Sequence, residues 1–184
     1  MLFRSLADRP ALMHAAAQIK SPVAALINCA GIFRRMAITE PDAETEWDRT
    51  LAVNLTAPYL LARALIPKLT GGAIVNVTSV RAETSAERAS AYTVSKAGLA
   101  ALTLSLADEL APLQIRANSV APGDVDTAMG HVDPSVTAKL IARTPLKRMA
   151  RPEEVAAACV FLSSPLASHI TGSTLRVDGG FLSV

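Results

Sequence analysis

The sequence has few of the features that extracellular, metal-binding or membrane proteins need. Only two of its 184 residues are cysteines, Cys29 and Cys159, which lie far apart in apolar surroundings and without the spacing of metal ligands. We expect both to be buried free thiols in a reducing compartment, and we expect no metal site. No apolar run approaches the ~18 residues that a spanning helix needs, and the N-terminus is not typical of a signal peptide. A cytoplasmic location is therefore predicted.

Charge and aromatic content are also low. The 18 basic residues exceed the 16 acidic ones by only two, and no basic block is present. This balance argues against nucleic acid or an anionic membrane as a partner. Aromatic residues make up 4% of the chain, so alanine, leucine, valine and isoleucine must form the core. A hydrophobic content of 51% is sufficient for one domain, which we assign to residues 1–184.

Apolar runs typical of buried strands alternate with segments typical of helices. The pattern predicts strands at 2–6, 23–27, 73–79, 115–120 and 174–177, and helices at 11–20, 44–69, 90–110 and 151–162. Asp8 is the expected N-cap of the first helix. Residues 128–149 are expected to be irregular because Pro134 and Pro145 interrupt them, and they form either a flap over a ligand or a surface loop. The alternation predicts an α/β, Rossmann-like, doubly wound parallel sheet.

Tyr92 and Lys96 are the central pair of candidate catalytic residues. Residues four apart on a helix share one face, so both side chains can point into one pocket. A nearby cation is expected to lower the pKa of the phenol and make Tyr92 a usable acid or base. Ser79 ends the strand before this helix, at the sheet edge where open α/β folds bind ligands. This combination predicts redox chemistry on a carbonyl or an alcohol.

Other polar residues allow two interpretations each. Asn54 interrupts an apolar helical stripe, either as a packing contact or as part of a polar site. The loop 28–31 is either an ordinary turn or a place where a flat ligand approaches the backbone. Four arginines near these segments either grip a carboxylate or phosphate or are solvated: Arg34, Arg35, Arg81 and Arg88.

In their order and spacing these residues resemble the classical short-chain dehydrogenase/reductase family over nearly the whole chain. The matching elements are Asn28-Cys29-Ala30-Gly31, Asn54, Ser79, Tyr92 with Lys96, Pro122-Gly123-Asp124-Val125-Asp126-Thr127, and the C-terminal segments 151–156 and 170–180. The family's loop has asparagine where this chain has Cys29.

The resemblance implies hydride transfer between NAD or NADP and a carbonyl or secondary alcohol. Tyr92 would exchange the proton, Lys96 would lower its pKa and hold the nicotinamide ribose, Ser79 would bind the substrate oxygen, and Asn54 would support a proton path to Lys96. The implied cofactor-binding residues are Asn28, Ala30, Gly31, Tyr92, Lys96, Pro122, Gly123, Val125 and Thr127. A sugar-acid or 3-oxoacyl substrate is expected, in a homo-oligomer (dimer or tetramer) packed through the helices at 44–69 and 90–110.

One family element has no counterpart in the sequence: the Thr-Gly-x-x-x-Gly-x-Gly turn that seats the pyrophosphate. The first two strands of the fold are therefore expected to be missing, and the strand at 23–27 to keep one edge unpaired. Either the natural N-terminus is absent, or a shortened chain acts as a non-catalytic oligomerising or scaffold protein, or the cofactor site is rebuilt across a subunit boundary. A binding module without turnover is a further alternative. Because the discriminating strand is missing, NAD and NADP both stay open.

Overall fold

The computed structural model describes residues 6–127, 129 and 134–183. Their strands form a parallel sheet in the order β1-β2-β3-β4. The strands are β1 (Ala25–Asn28), β2 (Ala73–Val77), β3 (Arg116–Pro122) and β4 (Thr174–Val177). The predicted doubly wound parallel sheet is confirmed, with strand ends that differ from the predicted ones by at most two residues.

One helix precedes β1, and the others lie in the connections between consecutive strands. They are α1 (Arg9–Gln18), α2 (Ala43–Leu51), α3 (Ala57–Leu65), α4 (Ser90–Leu110), α5 (Pro134–Arg143) and α6 (Pro152–Ser163). Short 3₁₀ turns lie at Ile66–Lys68, Val80–Ala82, Ala111–Leu113, Pro165–Ala167 and Phe181–Ser183. Asp8 caps α1 as predicted, since its carboxylate accepts a hydrogen bond from the Ala11 N–H at 3.0 Å. No helix within the described ranges is long and apolar enough to cross a membrane.

Two apolar clusters lie on opposite faces of the sheet, because successive side chains of a strand point to opposite sides. Ile74 packs on one face with residues of α3 and α4, such as Leu65 and Leu106. Val75 packs on the other face with Cys159 and Leu162 of α6. The sheet is thus held between two helical layers. Because its strands are parallel, the carboxyl ends of β1, β2 and β3 lie at one edge.

The single helix predicted for residues 44–69 is interrupted, which corrects that prediction. A π-helical turn, Ala52–Thr56, separates α2 from α3. Pro58 follows it in the first turn of α3 and has no N–H to continue a regular α-helical ladder. The Ala57 N–H bonds instead to the Ala52 carbonyl, five residues back. Asn54 lies inside this widened turn, a kind of irregularity that is frequent at functional sites.

Residues 134–143 form α5, so the prediction of an irregular segment is wrong for them. Pro134 is the first residue of the helix and Pro145 follows its end, so the two prolines bound the helix rather than prevent it. The strand predicted at 2–6 falls almost wholly outside the described residues, and Leu6 lies in a turn. Among the described residues β1 pairs with β2 alone.

A chain of buried amides and hydroxyls crosses the sheet. Asn28, Asn76 and Ser119 occupy one register position on β1, β2 and β3. Asn28 Nδ2 donates to Asn76 Oδ1 at 2.8 Å, and Asn76 Nδ2 donates to Thr103 Oγ1 of α4 at 2.9 Å. Ser119 Oγ donates to the same Thr103 oxygen at 2.9 Å. These bonds tie α4, which carries Tyr92 and Lys96, to the centre of the sheet.

Asn76→Leu should lower the free energy of unfolding by about 1–3 kcal/mol, because it leaves the buried Asn28 amide without its acceptor. The double variant Asn28→Leu/Asn76→Leu removes both partners and should recover part of this loss. Urea unfolding followed by circular dichroism measures both. Ser105→Ala, which loses an exposed bond to the Ala101 carbonyl, is the control and should change stability by less than about 0.5 kcal/mol. Strictly additive losses in the double variant would contradict the proposed amide pairing.

Candidate active site

A cavity of about 480 Å³ opens at the carboxyl ends of β1, β2 and β3. This is the edge at which open α/β sheets bind ligands. Its wall includes eight residues predicted from the sequence: Gly31, Ser79, Tyr92, Lys96, Pro122, Gly123, Val125 and Thr127. These residues are spread over almost a hundred positions of the sequence, and the parallel sheet brings them together around one cavity.

Lys96 is almost completely buried, with 4% of its surface exposed. Its Nζ donates to the Val77 carbonyl oxygen at 2.7 Å and lies 5.8 Å from the centroid of the Tyr92 ring. Burial lowers the pKa of Lys96 to about 8, and electrostatic interaction with the Cys29 thiol acts in the opposite direction. The ammonium is therefore a fixed charge at the inner wall of the cavity, and its pKa is nearer to neutral pH than that of a free lysine side chain.

Tyr92 lies one helical turn before Lys96 on α4. Burial raises the pKa of its phenol, the hydrogen bond with Ser79 and the charge of Arg81 lower it, and Asp124 raises it. The predicted net lowering of the Tyr92 pKa is therefore not found. The physical reason is that loss of water opposes ionisation, while the Lys96 nitrogen is hydrogen-bonded to Val77.

Asn54 stands behind the cavity wall rather than in it. Its Oδ1 accepts from the Ile32 N–H at 2.8 Å, and its Nδ2 donates to the Ile32 carbonyl at 2.9 Å and to Ser95 Oγ at 3.0 Å. The side chain therefore fastens the loop after β1 to α4. A Cβ at Gly31 would lie 3.3 Å from both Asn54 Oδ1 and Lys96 Nζ, so a side chain at this position would crowd both polar groups.

Asn28 and Ala30 are not among the cavity residues. The Asn28 side chain is 7% exposed and pairs with Asn76 inside the sheet. Cys29, between them, lines the cavity and is exposed. This corrects the prediction of a buried thiol at position 29, and the reason is that the residue directly follows the carboxyl end of β1. Cys159 is buried as expected.

Two residues contact or influence Tyr92 but were not identified from the sequence. The Phe33 ring meets the Tyr92 ring edge to face, with centroids 4.8 Å apart and planes at 63°. Asp124 lies in the cavity wall, and burial raises the pKa of its carboxyl while Arg81 lowers it. A rare aromatic residue in the loop after Gly31 was a usable signal for Phe33. Nothing in the local sequence marks the contact itself.

The four candidate arginines divide into two groups. Arg88 pairs with Glu40 at 2.5 Å, and Arg34 lies 3.7 Å from Glu46. Arg35 and Arg81 line the cavity. Neither takes part in an ion pair formed between described residues, so their guanidinium groups are the ones able to meet an anionic ligand.

The shape and chemistry of the cavity fit the nicotinamide and its ribose. The absence of a side chain at Gly31 avoids crowding of Asn54 and Lys96, and Pro122 and Gly123 also line the cavity. The Lys96 ammonium and the hydroxyls of Ser79 and Tyr92 are donors of the kind that ribose and carbonyl oxygens accept. Within the described residues no group of His, Cys, Asp or Glu is suited to hold a metal ion.

Comparison with known proteins gives one consistent result. Residues 4–182 match the family model described as enoyl-(acyl carrier protein) reductase. The chain is 37% identical over 167 residues to 5-keto-D-gluconate 5-reductase of Escherichia coli, covering 88% of this chain and 65% of the relative. It is 38% identical over 178 residues to cis-4-hydroxycyclohexanecarboxylate dehydrogenase of Sinomonas cyclohexanicum, covering 95% of this chain and 72% of the relative.

The fold comparison agrees. A gluconate 5-dehydrogenase from Burkholderia cenocepacia, solved with NADP and tartrate, superimposes with a TM-score of 0.87 at 29% identity. The alignment covers 98% of this chain and 74% of that one. The chain spans about two thirds of the length of most curated relatives compared with it, and 31% of one. With the family model matched over almost the whole chain, this protein belongs to the classical short-chain dehydrogenase/reductase family.

Proposed function

We propose that this chain carries the catalytic and nicotinamide-facing part of an NAD- or NADP-dependent oxidoreductase that interconverts a secondary alcohol and a ketone. The observation that carries the proposal is the convergence of Ser79, Tyr92 and Lys96 on one cavity at the sheet edge. We assign residues 1–184 to one domain.

In this proposal each residue has a separate task. The nicotinamide, when bound, would supply the chemistry of hydride exchange with the substrate carbon. Tyr92 donates its phenolic proton to the carbonyl oxygen during reduction and receives it during oxidation. Ser79 holds that oxygen by hydrogen bonding, and the Lys96 ammonium stabilises the phenolate and binds the ribose hydroxyls. Asn54 keeps the loop at Ile32 in place and supports proton passage toward Lys96.

The remaining cofactor contacts would come from the loops after β1 and β3. Ala30 and Gly31 would support one side of the nicotinamide ribose, and Pro122, Gly123, Val125 and Thr127 would lie against the ring. Asn28 would act through the sheet, since its amide pairs with Asn76. Both NAD and NADP are consistent with these residues.

A hydroxy acid or sugar acid is the proposed substrate class. Arg35 and Arg81 line the cavity that contains Tyr92, whereas Asp124 is the one carboxylate among the described residues of that wall. Guanidinium groups bind carboxylates with charge-assisted hydrogen bonds. The named relatives, a keto-gluconate reductase and a hydroxycyclohexanecarboxylate dehydrogenase, act on carboxylates by their names.

We further propose a homo-oligomer, a tetramer in its fullest form, and a cytoplasmic location. Val94 and Leu104 of α4 are 43% and 59% exposed, which supports burial of this helix against another copy. The two cysteines are free thiols, which is compatible with a reducing compartment.

The function is tested first by melting the protein with an excess of NAD⁺ or NADP⁺ and with D-gluconate or a similar hydroxy acid. A ligand that binds the folded state preferentially raises the melting temperature. We expect one cofactor to do so and the same cofactor to be reduced when the hydroxy acid is added. A cooperative melt that neither cofactor shifts, together with no reduction, would contradict the proposal.

Arg81→Gln should lower kcat/KM for a hydroxy acid by about 10-fold or more, because it removes a charge-assisted bond to the carboxylate. The rate on a polyol without the carboxylate should change much less. Arg88→Gln is the matched control, since Arg88 already pairs with Glu40 outside the cavity. Steady-state kinetics on both substrates give the ratio. Equal losses on the acid and the polyol would show that Arg81 does not recognise the carboxylate.

A further inference from the structure

The Phe181 ring is shared by two arginines from different parts of the fold. The guanidinium carbon of Arg81 lies 5.1 Å from the ring centroid, and that of Arg143 lies 4.8 Å from it. Phe181 itself is buried, with 3% of its surface exposed. Both distances are within the range in which a cation is attracted to an aromatic ring.

The two arginines come from the segments that border the cavity. Arg81 lies in the 3₁₀ turn directly after Ser79, and its backbone N–H donates to Ser79 Oγ at 3.1 Å. Arg143 is the last residue of α5, and Leu140 of the same helix lines the cavity. One aromatic side chain therefore connects the loop that carries Ser79 with the helix beside it.

Phe181 is held firmly enough to serve as a reference point. Its N–H donates to the Asp178 carbonyl at 3.1 Å, and the Asp178 carboxylate accepts from the N–H groups of Gly180 and Leu182 at 2.9 and 3.0 Å. Gly180 has a φ of +87°, and a Cβ there would lie 2.8 Å from Pro145 Cγ. The turn after β4 is thus locked to itself and packed against the segment that follows α5.

Few other contacts fix the Arg81 guanidinium. Its Nη1 donates to the Ser85 carbonyl at 3.3 Å, a long bond on an exposed loop. Neither Arg81 nor Arg143 forms an ion pair with another described residue. A cation–aromatic contact is attractive at these distances and favours one place for the guanidinium group. The ring is therefore the main described contact that decides where the Arg81 charge lies.

We propose that Phe181 is a positioning residue that holds the Arg81 guanidinium at the cavity wall near Ser79 and joins it to α5 through Arg143. The role in substrate recognition rests on the proposed function. The placement of the charge does not, because it concerns this chain's own residues and can be measured without turnover.

Tyr92 reports the position of Arg81. The groups that act on its phenol are Arg81 and Ser79 from the loop after β2 and Asp124 from the loop after β3. Lys96 on its own helix lies 5.8 Å from the ring centroid, and Cys29 from the loop after β1 acts on Lys96. Among them, Arg81 lowers the pKa of Tyr92 by its charge. If the guanidinium leaves its place, the pKa of Tyr92 should rise further.

The experiment is a ¹⁹F NMR titration of protein in which both tyrosines are replaced by a fluorotyrosine, whose phenol is more acidic than that of tyrosine. The chain has only Tyr59 and Tyr92, and Tyr59→Phe assigns the signals. Phe181→Leu should shift the Tyr92 midpoint to higher pH. In an Arg81→Met background Phe181→Leu should add no further shift.

Phe161→Leu is the matched control. Phe161 is a partly exposed phenylalanine of α6 with no guanidinium over its ring among the described contacts. It should leave the Tyr92 midpoint unchanged. An unchanged midpoint in Phe181→Leu would overturn the proposal, because the Arg81 charge would then not depend on Phe181. An equal shift with and without Arg81 would also overturn it, because the shift would then come from general loosening of the fold.

A measurement on the unaltered protein covers the case in which Phe181→Leu does not fold. The side-chain resonances of Arg81 and Arg143, assigned with Arg81→Lys and Arg143→Lys, should carry ring-current shifts from Phe181. Ordinary solvated arginine shifts at both positions would overturn the proposal.

A kinetic measurement separates the positioning role from the proposed substrate class. If the ¹⁹F result is as expected but Phe181→Leu leaves the acid-to-polyol ratio of kcat/KM unchanged, the proposed substrate class fails and the positioning role stands. We expect that ratio to fall about 3- to 10-fold.

Discussion

Tyr92→Phe is expected to lower kcat/KM for the hydroxy acid by about 10²–10⁴-fold, the usual contribution of a positioned acid–base group. The substitution removes only the phenolic oxygen, so the ring can keep its edge-to-face contact with Phe33. The loss should appear mainly in kcat, because the proton is transferred in the transition state and substrate binding does not depend on it.

The second tyrosine is the matched control for this prediction. Tyr59 is 47% exposed on α3 and lies outside the cavity wall. Tyr59→Phe removes the same atom and should leave kcat/KM within about 2-fold of the unaltered value. Melting curves of both variants show whether the fold is retained. If Tyr92→Phe turns over at an undiminished rate, another group carries the proton and the assignment of Tyr92 is wrong.

The pH dependence of that reaction follows from the buried position of Tyr92. Because burial raises the pKa of the phenol in the free protein, the proton donor is present throughout the neutral range. Reduction therefore begins from the correct protonation state without help from Lys96. In oxidation the phenolate is required, so the Arg81 and Lys96 charges matter more in that direction. Oxidation should consequently increase with pH through the neutral range while reduction changes less.

Much of the fold could be predicted because local pattern and tertiary structure agree. Apolar runs bounded by turn residues mark β2 and β3, where both faces of the sheet are covered and every position is apolar or internally bonded. The four-residue spacing of Tyr92 and Lys96 on α4 placed both in the same cavity for the same reason. Helical periodicity is a local property, and α4 is regular over its whole length.

The features that could not be predicted depend on contacts between distant segments. The π turn at Ala52–Thr56 is the combined effect of Pro58 and of the bonds that Asn54 makes to Ile32 and Ser95. The direction of the Tyr92 pKa shift depends on how much water the whole fold removes. The division of the arginines depends on whether Glu40 and Glu46 reach them. Residue type and spacing contain no direct record of these distances.

The Lys96→Met variant is expected to lose activity by at least about a hundredfold. The same substitution removes the buried ammonium, whose desolvation destabilises the folded state. In the folded protein the pKa of Lys96 is about 8, against 10.5 for the free side chain. Below about pH 8 both the folded and the unfolded chains hold the proton, and the folded state contains a desolvated charge. Between these two values the unfolded chain binds more protons than the folded one, so stability rises with pH.

The measurable quantity is the difference in unfolding free energy between the unaltered protein and Lys96→Met, taken at about pH 7 and about pH 9.5 by denaturant titration. Relative to the variant, the unaltered protein should gain about 2 kcal/mol over this range. Tyr92 and Cys159, whose pKa values burial raises, act oppositely at high pH but are present in both proteins and cancel in the difference. Loss of the hydrogen bond to Val77 changes the unfolding free energy of the variant by the same amount at every pH, so it does not contribute to the pH dependence. A difference that stays constant with pH would mean that the ammonium is not held at a cost. In that case the site would not contain the buried cation on which the proposed chemistry depends.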